Sequence, residues 1–181
     1  MVKIFYCDVS TVNNVDGLIN SLPSLRRDYV QSINDFERKK QSVLVWKLLE
    51  RALFLCCSNK EFNFLCETDG LWKIKGEKIK FSLAHSLNLV VVAISDNSVG
   101  VDVEHCCDKL IKLKKRYSEC DNLEELAIKW TKEESQFKAK DSGEFTSLFV
   151  KDNFGHDYII TACHNNADCA EFYLEKVENL L

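Results

Sequence analysis

The chain has 181 residues, a formal net charge of −4, 46% hydrophobic residues and 29% charged residues. These proportions are ordinary for a globular protein with a sizeable core, and the acidic balance argues against a general affinity for nucleic acid or for anionic membranes. No apolar run approaches the roughly 20 residues of a membrane span. Because the N-terminal segment MVKIFYCDVS alternates like a β-strand and does not resemble a signal peptide, we expect a cytoplasmic protein.

The predicted elements follow the same order twice along the chain. The first half has a strand at residues 1–10, a long helix at about 36–56, and strand-like segments at 62–68, 71–86 and 87–95. The second half has a strand at 100–104, a helix at 122–140, a hairpin at 145–152 and 156–164, and a closing strand at 171–177. The middle strands are predicted to form an antiparallel meander. The repeated order predicts an α+β fold of two similar lobes, residues 1–99 and 100–181, each with a long helix packed on an antiparallel sheet.

The nine cysteines include two adjacent pairs, Cys56/Cys57 and Cys106/Cys107, and no C-x-x-C sequence. This pattern argues against a disulfide framework or a zinc ribbon. We therefore expect small buried thiols in a reducing compartment. A metal site at His105, Cys106 and Cys107 is disfavoured because adjacent residues rarely point at one ion.

Two carboxylates close an apolar run in the sequence SVGVDVE at residues 98–104. On a strand, residues i and i+2 share a face, so Asp102 and Glu104 would point to the same side. Two like charges at that spacing repel each other unless a cation lies near them. An exposed strand end is the alternative that needs no cation.

A third carboxylate, Glu134, falls on the apolar stripe of the second helix, between Trp130 and Phe137. A buried carboxylate needs a cation or hydrogen-bond donors. Two structural explanations remain open: an ion pair with Lys138 one turn later, or a capping box that begins at Thr131. Together with Asp102 and Glu104, however, Glu134 would complete an all-oxygen site suited to Mg²⁺ shared with a pyrophosphate.

Three segments together resemble the signatures of the phosphopantetheinyl transferase superfamily in their usual order: FSLAHS (81–86), GVDVE (100–104) and WTKEESQFK (130–138). The chain resembles most the larger, pseudo-dimeric branch that includes the surfactin-synthetase activator, over most of its length. Each motif alone is weak, but the ordered set is fairly specific. The resemblance implies two lobes in a pseudo-twofold arrangement with the active site in the cleft between them, and the lobes would bind coenzyme A and Mg²⁺ respectively.

The implied reaction moves 4'-phosphopantetheine from coenzyme A to a serine of an apo acyl or peptidyl carrier protein and leaves adenosine 3',5'-bisphosphate. In that family the metal ligands fall on Asp102, Glu104 and Glu134. Lys138 would contact phosphate, and His85 would help to hold the nucleotide. Glu134 and Lys138 are therefore the predicted catalytic residues, with Glu134 or a metal-bound water as the base.

The phosphates of coenzyme A require cations, and the family places some of them at the basic start of the first long helix. Lys40 and Ser42 are the candidates there, with Lys39 as the alternative if the register differs by one residue. Lys73 is a further candidate, and Arg26 or Arg27 would add to the 3'-phosphate end.

The sequence also departs from the family pattern near the predicted coenzyme pocket. Glu133 stands where a lysine often precedes the helix glutamate, and Leu87 replaces the glycine that usually follows the H-S pair. Ser82 and Ala84 replace residues that often precede the histidine, and GLWK at 70–73 replaces a Gly-Lys-Pro sequence. The metal residues are therefore matched better than the coenzyme pocket.

Five cations between Lys109 and Arg116 follow the second motif. The segment is predicted to be a basic, partly apolar helix that attracts an acidic carrier protein, although a solvated helix face explains the charge alone equally well. A non-catalytic family member that binds a carrier protein or coenzyme A is the alternative function. A different Mg²⁺-dependent phosphoryl hydrolase is disfavoured because the sequence has no Walker-type loop. A monomer is the simpler expectation for two lobes in one chain.

Overall fold

The computed structural model describes residues 1–57, 61–67, 70–165 and 169–181, and within these ranges it has the mixed α+β fold that the sequence predicts. The α-helices are α1 (Asp16–Ile19), α2 (Ser24–Gln31), α3 (Phe36–Cys57) and α4 (Leu123–Ala139). The strands are β1 (Val2–Asp8), β2 (Phe64–Cys66), β3 (Trp72–Ile74), β4 (Lys80–Ser86), β5 (Leu89–Ser95), β6 (Val99–His105), β7 (Glu144–Lys151), β8 (Asp157–His164) and β9 (Ala170–Leu174). Two 3₁₀-helices lie at Asp108–Lys115 and Val177–Asn179.

The first sheet has the strand order β4-β5-β1-β9. β5 pairs antiparallel with both β4 and β1, whereas β9 pairs parallel with β1. One face of this sheet is covered by α3, whose fully buried Trp46 and Leu49 belong to the same core cluster as Phe5 and Val92. Apolar residues surround most of this helix, which explains why it has so many buried positions for a helix of 22 residues.

The second sheet has the order β6-β8-β7 and is antiparallel throughout. Helix α4 lies on its outer face and contacts β6 and β8. The helix begins behind an Asn122 cap, whose side chain accepts a hydrogen bond from the Glu125 amide at 2.9 Å. It ends at Lys140, which adopts a left-handed conformation with φ 55°.

The remaining faces of the two sheets pack against each other through a shared apolar cluster that includes Ile4, Val91, Val101 and Ile160. The layers are therefore α3, first sheet, second sheet and α4. Strands β4 and β6 belong to different sheets but lie side by side. They are joined by serines of β4: the Val101 amide donates to Ser82 Oγ at 3.0 Å, and the His105 amide donates to Ser86 Oγ at 3.2 Å.

The helix α4 approaches β6 unusually closely at Gly100. A Cβ atom added to this glycine would lie 1.9 Å from the Ser135 carbonyl oxygen and 2.5 Å from the Ala139 amide nitrogen. The buried face of α4 is formed mainly by small residues, among them Ala127, Thr131 and Ser135. Small side chains on the helix and a glycine on the strand together allow this distance.

Several sequence predictions need correction. The predicted meander is wrong, because β2 and β3 form a separate two-stranded sheet and β6 pairs with β8 rather than with β5. The helices at 36–56 and 122–140 and the hairpin around residues 153–155 are confirmed. Phe137, placed on the buried stripe of α4, is 68% exposed because the buried face is rotated toward Thr131 and Ser135. The basic segment is helical, but with 3₁₀ geometry.

None of the nine cysteines, all of which lie in the described ranges, forms a disulfide, and three of them, Cys7, Cys120 and Cys163, are buried. The expectation of buried thiols therefore holds for a minority of them. None of the described helices combines the length and the apolarity needed to cross a bilayer.

Candidate functional site

A cavity of about 900 Å³ lies where α2, α3, β3, β4 and the C-terminal end of α4 meet. Five of the candidate site residues proposed from the sequence line it: Arg26, Ser42, Lys73, His85 and Lys138. The wall also contains Lys80 and Lys140 as further cations and Glu67 and Asp141 as acids. Because the cations outnumber the acids, the cavity favours an anionic ligand.

Glu67 offsets part of this positive charge. Its carboxylate pairs with Lys73, and its other oxygen lies 2.8 Å from Lys140 Nζ. All three side chains are partly exposed to solvent. An anionic ligand at this edge of the cavity would therefore compete with Glu67 for the two lysines.

Arg26 is the most buried cation of the cavity wall, with 7% of its surface exposed. Its Nη2 atom donates to both the carbonyl oxygen and the hydroxyl of Ser42, each at 2.8 Å. The guanidinium lies over the rings of Tyr29 and Trp46, 5.2 Å from each centroid. Burial lowers the pKa of Arg26 to about 10, which still leaves it charged at neutral pH.

His85 lies on β4 with its side chain accessible to solvent within the cavity. Partial burial by the surrounding protein, followed by the positive charges of Lys138, Arg26 and Arg38, lowers its pKa to about 4. The imidazole is therefore neutral at pH 7, and it can donate one hydrogen bond and accept another.

Asp102 lies on β6 and is 8% exposed. Its Oδ1 atom accepts a hydrogen bond from Lys138 Nζ at 2.7 Å, and the same ammonium group donates to the Val101 carbonyl at 3.0 Å. Its Oδ2 atom is buried and has no hydrogen-bond partner among the described residues. Burial raises the pKa of Asp102, and the neighbouring Lys138 opposes that shift.

Glu104, two residues later on the same face of β6, has donors on both oxygens. Trp130 Nε1 donates to Oε1 at 3.1 Å, and Ser86 Oγ donates to Oε2 at 3.2 Å. Burial, with a contribution from the charge of Asp102, raises its pKa to about 7. A substantial fraction of Glu104 is therefore protonated at neutral pH.

Glu134 lies half-buried on α4, near enough to Asp102 for its charge to raise the pKa of that residue. Both structural explanations for Glu134 fail. Lys138 pairs with Asp102 rather than within its own helix, and Thr131 lies in the middle of α4, where its hydroxyl donates to the Ala127 carbonyl. The Lys138 ammonium is thus a cation at the carboxylates of β6, where it contacts Asp102.

The donor set fits a hard divalent cation in part. Asp102 has a buried carboxylate oxygen, Oδ2, without a hydrogen-bond donor, and carboxylate oxygens are preferred ligands of Mg²⁺. However, within residues 1–57, 61–67, 70–165 and 169–181 no three His, Cys, Asp or Glu side chains are gathered closely enough to hold a metal ion. Glu104 would have to exchange its hydrogen bonds to Trp130 and Ser86 to join Asp102 on one ion.

Lys40 is placed differently from the other candidates. It is 4% exposed, and its ammonium group lies 2.7 Å from Glu37 on the same helix. The described wall of the cavity includes neither Lys40 nor Lys39. Of the residues proposed from the start of α3, Ser42 is the one at the cavity, where Arg26 holds its hydroxyl.

Sequence reasoning gave no role to Trp130 and Ser86, the two residues that hold Glu104. Trp130 lies on the predicted apolar stripe of the second long helix, and this pattern indicates a core position for its ring. The signal that could have identified it is chemical, because a half-buried indole N–H needs an acceptor and carboxylates were predicted nearby.

A scan against protein-family models gave no match, and a search of curated protein sequences gave no significant match.

Proposed function

We propose that the chain is a Mg²⁺-dependent phosphopantetheinyl transferase that transfers the 4'-phosphopantetheine arm of coenzyme A to a serine of an apo acyl or peptidyl carrier protein. The observation that carries the proposal is the Asp102–Lys138 pair. It presents a buried carboxylate oxygen without a donor beside the end of a cation-rich cavity of about 900 Å³. A cavity of this size is sufficient for a nucleotide-sized ligand.

The layer order supports the finer fold assignment. The helix α3 lies on the first sheet, α4 lies on the second, and the two sheets face each other. We take residues 1–99 and 100–181 as two lobes in a pseudo-twofold arrangement, with the cavity as the cleft between them. β9 is an exception to this division, since it comes from the second half of the sequence and pairs with β1.

In the proposed reaction, the serine oxygen attacks the β-phosphorus of coenzyme A. The bond from that phosphorus to the bridging oxygen breaks, and adenosine 3',5'-bisphosphate leaves with the electron pair. Glu134 is the candidate acceptor of the serine proton. Mg²⁺, when bound, would neutralise charge on the pyrophosphate and would be held by Asp102, Glu104 and Glu134.

The cations of the cavity have separate roles in this proposal. Lys138 stabilises charge on the leaving phosphate, and Lys73 and Arg26 supply charge for the rest of the nucleotide. His85 orients the nucleotide as a neutral hydrogen-bonding group, because its low pKa removes it as a cation at pH 7. Ser42 contributes a hydroxyl held by Arg26, and Lys40 remains a candidate only if a bound ligand draws it away from Glu37.

The acceptor would approach from the side of the 3₁₀-helix Asp108–Lys115. This helix follows β6 after two residues, so it begins close to the proposed metal residues. Its lysines Lys109, Lys112 and Lys114 are exposed. An acidic carrier protein would be attracted to this surface.

The second candidate is a non-catalytic protein that binds coenzyme A or a carrier protein. It is favoured by one observation: both oxygens of Glu104 are engaged by Trp130 and Ser86. A cytosolic monomer is proposed in either case.

A transfer assay separates the two candidates. The protein is incubated with coenzyme A, Mg²⁺ and apo carrier proteins of the fatty-acid and peptide-synthetase types. The masses of the carrier proteins are then measured by mass spectrometry. The proposal requires that at least one carrier gains the mass of one phosphopantetheine arm and that EDTA abolishes this gain. Asp102→Asn should abolish the transfer. The control Asp121→Asn, which changes an exposed acid before α4, should leave the transfer intact. Absence of the gain with every carrier would leave the binding protein as the better explanation.

A further inference from the structure

Two turns from different sheets are locked together beside the proposed active site. The first is the β4–β5 turn at Leu87 and Asn88, and the second is the β7–β8 turn at residues 152–156. The Asp152 carboxylate joins them. Its side chain is fully buried, and its Oδ2 atom accepts hydrogen bonds from Asn88 Nδ2 at 2.8 Å and from Tyr158 OH at 3.0 Å, and it lies 2.7 Å from His156 Nδ1.

The same carboxylate also fixes the second turn from inside. Its Oδ1 atom accepts from the backbone amides of Phe154 and His156, each at 2.9 Å. Hydrogen bonds to an ionised group are stronger than neutral ones. The two turns therefore present their outer side chains in a fixed relative position.

Two outer side chains of these turns are apolar and exposed. Phe154 is 69% exposed and Leu87 is 40% exposed. We call Leu87 and Phe154 the turn patch. The ring of His156, which is half-buried and paired with Asp152, lies 6.3 Å from that of Phe154 and borders the patch. Large apolar side chains on a rigid exposed surface are characteristic of a protein-binding site.

Leu87 also adopts a strained backbone conformation. Its φ is 45°, in the left-handed region that a residue with a Cβ atom rarely occupies. A glycine would relieve this strain, yet the chain has a leucine whose side chain is substantially exposed. Burial in the core of this chain therefore does not explain the leucine, whereas contact with a partner would.

The turn patch lies between the proposed metal residues and the basic 3₁₀-helix. Ser86, immediately before Leu87, donates to Glu104, so the patch adjoins the proposed metal residues. On its other side, the His156 ring lies 5.0 Å from that of His105, which precedes the lysine-rich 3₁₀-helix. An apolar patch thus continues into a strongly basic surface along one side of the site.

We propose that the turn patch is the apolar half of the acceptor-docking surface. It would receive apolar side chains next to the serine of an acidic carrier protein, while the 3₁₀-helix Asp108–Lys115 receives the acidic side chains. This inference rests on the proposed transferase function. Charge complementarity directs the encounter, and the patch adds affinity by burying apolar side chains of the bound carrier protein.

The test compares steady-state kinetics of Leu87→Gly and Phe154→Ser with those of the unaltered protein, with an apo acyl carrier protein of the fatty-acid type as acceptor. Each change should raise KM for the carrier about tenfold. The KM for coenzyme A and the kcat at saturating carrier should stay unchanged. The matched control is Phe54→Ser, a 56% exposed phenylalanine on α3, about 20 Å along that helix from Gln41, which donates to the Leu87 carbonyl.

A thermal melt separates docking from folding. Because Leu87→Gly relieves the left-handed strain, it should raise the melting temperature by about 2 °C although it weakens binding of the carrier protein. A residue with a purely structural role would lose thermal stability and carrier affinity together. Unchanged carrier KM in both variants, with normal transfer by the unaltered protein, would overturn the docking surface alone. No transfer by the unaltered protein to any carrier would overturn the proposed function and the docking surface with it.

Discussion

Gly100 allows α4 to lie against the strand that carries Asp102, so Gly100→Ala tests how the site is held. A Cβ atom at this position would meet the Ser135 carbonyl oxygen at 1.9 Å, where ordinary contacts begin at 3.4 Å. The helix would have to move outward by about 1.5 Å to restore a normal separation. All three nearest atoms belong to the backbone of α4, so a change of side-chain rotamer cannot relieve the clash.

The expected loss of stability follows from this geometry. Overpacking a well-packed core typically costs 1–3 kcal/mol, and a clash with helix backbone belongs at the upper end, about 3 kcal/mol. For a chain of this length, that loss lowers the melting temperature by roughly 6–12 °C. The same movement would separate Lys138 from Asp102, which lie 2.7 Å apart, and transfer activity should fall with stability.

Urea unfolding followed by circular dichroism measures the effect. Gly17→Ala is the control, because a Cβ atom there meets nothing within 4 Å, and its free energy of unfolding should change by no more than about 0.5 kcal/mol. If Gly100→Ala unfolds at the same urea concentration as the unaltered protein, α4 does not lie as close to β6 as described, and the close-approach explanation is refuted.

Two further predictions concern the charges at the site. The pKa of Glu104 is about 7 in the folded protein against 4.5 unfolded, so the folded state binds more protons between these values and stability should fall as pH rises through this range. In Glu104→Gln the fall in the free energy of unfolding should be smaller by about 2 kcal/mol, a value discounted for the partial exposure of the side chain. Urea unfolding at pH 5 and pH 8 without metal measures it. An equal fall in stability between these pH values in the two proteins would contradict the prediction. Lys138→Ala should lower the free energy of unfolding by about 2–3 kcal/mol at pH 8, because Oδ1 of the buried Asp102 carboxylate loses its ammonium partner. Most of that loss should return in the double variant with Asp102→Asn, and a double-mutant cycle with no coupling would count against the ion pair.

The sequence predicts the long helices and the terminal hairpin well because their hydrophobic periodicity is local. It fails for the pairing of the middle strands. β5 and β6 are separated by only three residues, yet they belong to different sheets, since β6 finds its partner in β8. Pairing with a distant strand leaves no mark on the spacing of residues within either strand.

For the candidate site, spacing along β6 predicts Asp102 and Glu104 on one face, but it does not predict that Lys138 pairs with Asp102. The opposite states of the two carboxylates were not predictable. Asp102 keeps a buried oxygen without a donor, whereas Glu104 has a donor on each oxygen. This difference depends on Trp130 and Ser86, which lie on two other elements. A sequence motif on β6 does not show which side chains of other elements contact its carboxylates.

The parallel pairing of β9 with β1 has a consequence for how the protein is made. β9 leaves the ribosome long after its partner β1, because most of the other elements lie between them in the sequence. During translation the unpaired edge of β1 stays open, and Phe5 lacks the ring of Tyr173 that later stacks on it at 5.1 Å. The sheet beneath α3 therefore cannot be completed until β9 has been synthesised, and chaperone contact with the nascent chain should concentrate on that edge.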